Sequence, residues 1–131
     1  MERTKVLFID DEKDFCELMK EHLEALGEFD VYTAVSGKTG LDIAKKIKPR
    51  IIVLDVLMPE MSGLDVLKKL KEDRATLEIP VIMLSAKDDD TLKMKGAQLF
   101  DELYLTKPIE AGELNRKIEE IIKRRGQALG L

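Results

Sequence analysis

A chain of 131 residues, 44% hydrophobic and 37% charged, has room for one domain with a real core and a strongly hydrated exterior. Its apolar runs fall far short of the ~20 residues a membrane-spanning helix needs, and its N-terminus lacks the order of a signal peptide. A net charge of -4 with mixed signs argues against nucleic-acid binding driven by phosphate neutralisation, and a single cysteine, Cys16, excludes an internal disulfide and suits a reducing cytosol.

The continuous apolar run in Lys5–Ile9 predicts a strand covered on both faces, and it empties into Asp10 and Asp11. Phe15, Leu18, Met19, His22, Leu23 and Leu26 then keep the spacing of one buried helix face. On that stripe His22 is expected to be partly buried and satisfied, with Cys16 a packing residue. After Gly27, Asp30–Ala34 is more mixed and suits an edge strand. Ser36 is a helix N-cap ahead of Ile43, Ala44 and Ile47. Ser36-Gly37-Lys38-Thr39 also matches the tail of a nucleotide-binding P-loop. The required earlier glycine is Tyr32, so the cap is the better reading.

Beyond Pro49, Ile51–Leu54 predicts a third buried strand that ends at Asp55. Val66, Leu67 and Leu70 mark a helix after Gly63, and Pro80 precedes a fourth strand, Val81–Leu84, that delivers Ser85. Asp88–Leu99 predicts a helix with thin core contact. Leu103–Leu105 is a fifth strand, followed by Lys107 and Pro108. Leu114, Ile118, Ile121 and Ile122 form the last apolar stripe, and Lys123, Arg124 and Arg125 are favourable charges at its C-terminus.

Strands alternating with helices predict an α/β fold, a parallel sheet with helices on both faces. Sites in such open sheets form beyond the carboxyl ends of the strands. Asp10, Asp11, Asp55, Ser85 and Lys107 all leave strands at that rim. Carboxylates ~4 Å apart repel by roughly 4 kcal/mol at an effective dielectric of 20, so a proton or cation must relieve them. Magnesium is the natural hard cation. Lys107 offers a compact charge for a phosphate oxygen and Ser85 a hydroxyl donor, which leaves Asp55 as the nucleophile of a phosphoryl transfer.

Phe8-Ile9-Asp10-Asp11-Glu12, Leu54-Asp55-Val56-Leu57-Met58-Pro59 with Ser62-Gly63, Leu84-Ser85-Ala86 and Tyr104-Leu105-Thr106-Lys107-Pro108 together resemble the response-regulator receiver domains of two-component signalling. The resemblance covers about residues 4 to 124. It implies a flavodoxin-like (CheY-like) three-layer sandwich of sheet order 2-1-3-4-5 with five helices, a receiver domain over 1–125 and a short tail over 126–131. It further implies that Asp10, Asp11, Asp55 and the backbone carbonyl of Leu57 hold Mg2+, and that Asp55 is phosphorylated. Ser85, Ala86 and Lys107 would bind the phosphoryl group, the Lys107–Pro108 peptide would be cis, and Ser85 and Tyr104 would form the switch. The implied partners are a sensor histidine kinase or histidine phosphotransfer protein, and a downstream protein on the face of the fourth helix, fifth strand and fifth helix, all in the cytoplasm. No effector is expected after Arg125, whether the domain stands alone or belongs to a longer protein.

Ser62 replaces a frequent aspartate, and Phe100-Asp101 a usual Gly-Ala, which alters how the preceding helix ends. In this family the positions of Leu57 and Lys87 flank the water that hydrolyses the acyl phosphate, and neither side chain can act as a general base. Slow self-dephosphorylation is therefore expected. Two other readings fit less well. An aspartate-nucleophile phosphatase, an enzyme with its own substrate, would want a second aspartate where Leu57 stands. A flavin-binding module would want a Ser/Thr/Gly-rich loop where this chain has Asp10-Asp11-Glu12.

Overall fold

The computed structural model describes residues 3–86 and 102–128. Within them the strands are β1 (Thr4–Ile9), β2 (Phe29–Ala34), β3 (Ile51–Asp55), β4 (Val81–Ser85) and β5 (Leu103–Thr106). They form one parallel sheet of order β2-β1-β3-β4-β5, so the mixed second strand is indeed at an edge. Four helices lie in the described residues: α1 (Lys13–Leu26), α2 (Gly37–Ile47), α3 (Gly63–Glu72) and α4 (Ala111–Ala128). Lys87, the helix expected over Asp88–Leu99, and Phe100-Asp101 lie outside them. No described helix is long and apolar enough to cross a membrane.

The period of two along each strand splits the core into two halves. On one face Val6, Phe8, Val31, Val53, Ile82 and Leu84 pack with Cys16, Met19 and Leu23 of α1 and with Leu114 and Ile118 of α4. On the other, Leu7, Ile9, Ile52, Leu54 and Met83 meet Ala44 of α2 and Val66, Leu67 and Leu70 of α3. The central strands are thus sealed on both sides, which is why their sequences show no polar alternation.

Caps set where the helices begin. Ser36 accepts a hydrogen bond from the Thr39 amide at the start of α2, so the P-loop-like tetrapeptide is a helix cap. Ser62 and Asp65 make a reciprocal capping box at α3. The expected face of α1 needs correction. At about 100° per residue, Cys16, Met19 and Leu23 point inward, while Leu18 and His22 fall on a flank. Leu18 is 48% exposed, Leu26 at the helix end 54%, and His22 is exposed rather than partly buried.

At the rim where strands begin, Lys71 of α3 pairs with Glu102 at 2.6 Å, both side chains largely buried. The Val81 amide donates to the same carboxylate at 3.2 Å, and Lys71 also donates to the carbonyls of Leu77 (3.3 Å) and Ile79 (3.2 Å). This network joins the end of α3 to the entrances of β4 and β5.

At the opposite rim, the turn after β3 folds back so that the Gly63 amide donates to the Val56 carbonyl at 2.7 Å. A Cβ on Gly63 would collide with the backbone carbonyl of Asp55 and lie 2.8 Å from Val56 Cα. Backbone cannot yield as a flexible side chain can. Gly63→Ala should therefore cost about 1–3 kcal/mol of stability, measured by urea denaturation; a loss below ~0.5 kcal/mol would show that the turn relaxes freely.

Candidate functional site

The register of the two central strands builds the site. β1 pairs Ile9 with Leu54 of β3, so Asp10 and Asp55 follow side by side as the strands end. Leu84 of β4 lies opposite Asp55, and Ser85 comes one residue later. Lys107 follows β5, its amide donating to the Ser85 carbonyl at 2.8 Å, and the Lys107–Pro108 peptide is cis. The expected residues Asp10, Asp11, Asp55, Ser85 and Lys107 thus do converge on one rim.

Asp10 is fully buried, Asp55 is 6% exposed and Asp11 is exposed. Oxygens from all three carboxylates come within 4.8 Å of one another. Asp10 is held from behind: its amide donates to the Ala34 carbonyl at 3.0 Å, and its Oδ1 accepts from the Glu12 amide at 2.9 Å. Lys107 Nζ donates to Asp10 Oδ2 at 2.7 Å and lies 3.3 Å from Asp55 Oδ1 and 3.8 Å from Glu12 Oε1.

One ammonium therefore serves a crowded set of anions. Burial alone would push the Lys107 ammonium down, but its hydrogen bond to Asp10 and the charges of Asp10 and Asp55 outweigh that and raise it. Burial, followed by the charge of Asp10, pushes Asp55 up to about 7 against the pull of Lys107. Burial likewise pushes the Cys16 thiol up to about 12, with the Asp10 charge adding to it. Cys16 stays an inert thiol, donating to the Asp10 carbonyl at 3.2 Å.

The donor set is all oxygen, partly buried and short of positive charge, which fits a small hard cation. Among the described residues Ser85 Oγ, which is enclosed, has no hydrogen-bond partner, a cost that an incoming anionic oxygen would remove. The enclosed Tyr104 hydroxyl likewise has no partner among the described residues. Leu57 is 51% exposed, Ala86 is exposed, and Pro108 is exposed beside Lys107. Two contacts to Lys107 escaped the sequence reading: Glu12, and Phe15, whose ring centre lies 4.9 Å from Nζ. Their place in the turns just after Asp11 was the available signal.

Because the fold favours protonated Asp55, its stabilising contribution is complete below the ordinary carboxylate pKa near 4 and is lost as pH rises through about 7. Asp55→Asn removes this dependence. In metal-free buffer the variant should be more stable than wild type at pH 8, on the order of 2 kcal/mol, with the gain vanishing toward pH 4. Denaturation of both proteins across that range measures it, and a pH-independent difference would contradict it.

Comparison with known proteins agrees with this geometry. The family described as the response regulator receiver domain matches residues 6–119. The alkaline phosphatase synthesis transcriptional regulatory protein PhoP of Bacillus subtilis is 38% identical over 120 residues, which cover 92% of this chain and 49% of PhoP. The chain spans about half the length of the curated relatives it matches. A response regulator receiver domain protein from Clostridium thermocellum shares the fold with a TM-score of 0.87 at 31% identity, covering 95% of this chain and 98% of that one. The receiver domain of the Francisella response regulator 1452 gives 0.83 at 32% identity, covering 94% and 99%. A buried acidic rim, a lysine bridging it and a family match over most of the length lead to one conclusion: this chain belongs to the response regulator receiver domains, the phosphoacceptor modules of two-component signalling.

Proposed function

We propose that Asp55 is the phosphoacceptor, and the observation that carries this is the bridge of Lys107 from buried Asp10 to Asp55. A carboxylate oxygen of Asp55 attacks the phosphorus of a phosphohistidine on a sensor kinase or phosphotransfer protein. The new P–O bond forms as the P–N bond breaks, and the leaving imidazole keeps the electron pair and takes up a proton. Magnesium, when held by Asp10, Asp11, Asp55 and the Leu57 carbonyl, supplies the charge neutralisation that keeps Asp55 ionised and screens the phosphoryl oxygens. Lys107 and the Ala86 amide take up the remaining oxygens, and Ser85 Oγ donates to one of them. The chain catalyses only its own phosphorylation, taking the group from the phosphohistidine, and its own slow dephosphorylation.

The two hydroxyls without a partner among the described residues support a switch. Met83 of β4 pairs with Tyr104 of β5, and Ser85 lies two residues beyond Met83, so Ser85 and Tyr104 share a sheet face. Drawing Ser85 toward a phosphoryl oxygen frees room beside Tyr104, and the ring follows. β5, α4 and the helix expected over Asp88–Leu99 then present a changed face to a downstream partner in the cytoplasm. That partner must bind the phosphorylated form more tightly for any signal to pass. Transcriptional control, the role in PhoP's name, is one output within reach of such a face.

With magnesium and acetyl phosphate, the protein should gain one acid-stable, base-labile phosphoryl group, and Asp55→Asn none. Phosphate-affinity electrophoresis distinguishes them, and equal labelling of the two would place the acceptor elsewhere. The phosphorylated form should decay slowly, because the exposed Leu57 side chain cannot orient water. Leu57→Asn should shorten its lifetime about tenfold, equivalent to ~1.4 kcal/mol of barrier, in a chase after donor removal; an unchanged lifetime would show that water enters by another route.

A further inference from the structure

We infer that Phe15 is a positioning residue for the Lys107 ammonium, an inference that rests on the reading of Lys107 as a phosphoryl ligand. Lys107 Nζ lies 4.9 Å from the centre of the Phe15 ring, inside the ~6 Å over which an aromatic quadrupole attracts a cation. The ring is itself braced. It stands edge-on to Phe8, with centroids 5.7 Å apart and planes at 67°, and Phe8 is fully buried in β1. The first turn of α1, just after Asp10-Asp11-Glu12, thus brings the ring to the lysine that pairs with Asp10 and Glu12.

The other contacts of Lys107 explain why a ring is useful there. Asp10 at 2.7 Å and Asp55 at 3.3 Å hold the ammonium by directed contacts, while Glu12, at 3.8 Å and on an exposed side chain, is a weak third. Asp55 is the partner whose charge and shape change when it gains a phosphoryl group. Phosphorylation makes that partner more anionic and moves its oxygens outward, so the ammonium must turn toward them while Asp10 still holds it. A π face attracts the cation without accepting a directed bond, so the ammonium can swing from Asp55 Oδ1 to a phosphoryl oxygen and keep this contact. The ring also walls a cavity of about 300 Å³ beside Lys107, bounded by Ala86, Pro108 and Ile109.

Initial rates of labelling by acetyl phosphate in magnesium, measured for Phe15→Leu and Phe15→Tyr in wild-type and Lys107→Met backgrounds, test this. Phe15→Leu fills the space without the quadrupole and should slow labelling roughly threefold to tenfold, while Phe15→Tyr keeps the ring face and should stay within about twofold of wild type. In the Lys107→Met background, Phe15→Leu should cost nothing further. Equal losses in both backgrounds, or no loss in either, would overturn the inference, since the ring would then act by packing or not at all. Proton NMR gives an independent arm: the Lys107 ε-methylene signals should be shifted upfield by the ring current in wild type and Phe15→Tyr and return to ordinary values in Phe15→Leu. Ordinary values in wild type would overturn the contact itself. A wild type that fails to label, or a Lys107→Met that labels normally, would instead defeat the parent reading of the site.

Discussion

One ammonium set among three carboxylates is the constraint around which this molecule is arranged. Asp10 and Asp55 sit side by side because β1 and β3 are adjacent, parallel and in register through Ile9 and Leu54. Lys107 comes from two strands away, across β4, on a stem long enough to reach both. Neutrality is incomplete: with Asp11 nearby, the negative charge exceeds what Lys107 can offset. Burial of Asp55 makes the deficit costly, and that cost gives a cation or a proton its affinity for the site.

The rest of the fold keeps that rim rigid. In strands sealed on both faces, a slip of one residue would swap every side chain into the opposite half of the core. The capping box at Ser62 and the close approach of Gly63 to the Asp55 backbone fix the turn that leaves β3. Backing hydrogen bonds from Glu12 and to Ala34 fix Asp10. The charges are strained electrostatically while the chain around them is held by ordinary packing and caps.

Much of this was legible in the sequence because it is written in short range. Continuous apolar runs located three of the strands and shorter or mixed segments the other two, all to within a residue or so at each end, with carboxylates, hydroxyl and lysine at or just beyond four of them. Ser36 declared its cap by type and position. What was not legible depends on orientation across elements. The apolar stripe of α1 spans more arc than the sheet can cover, so only packing decides that Cys16 goes in while Leu18 and His22 stay out. The Lys71–Glu102 pair joins residues far apart in sequence that look like any two surface charges. Phe15 read as core, and only the meeting of the first turn of α1 with Lys107 after β5 shows that its ring also faces a cation.

That Lys71–Glu102 pair has a mechanical consequence. Glu102 lies immediately before β5 and is anchored to α3 and to the entrance of β4, whereas Lys107, immediately after β5, is anchored to the acidic rim. The four-residue strand between them is a short beam clamped at one end and loaded at the other. Such a beam cannot slide lengthwise under a pull on its loaded end. It can only bow or tilt, and its side chains, partly exposed at the sheet edge, carry that deflection sideways. A displacement of less than an ångström at the lysine would thus leave the molecule as a change in surface relief along its flank, with the strand pairing intact.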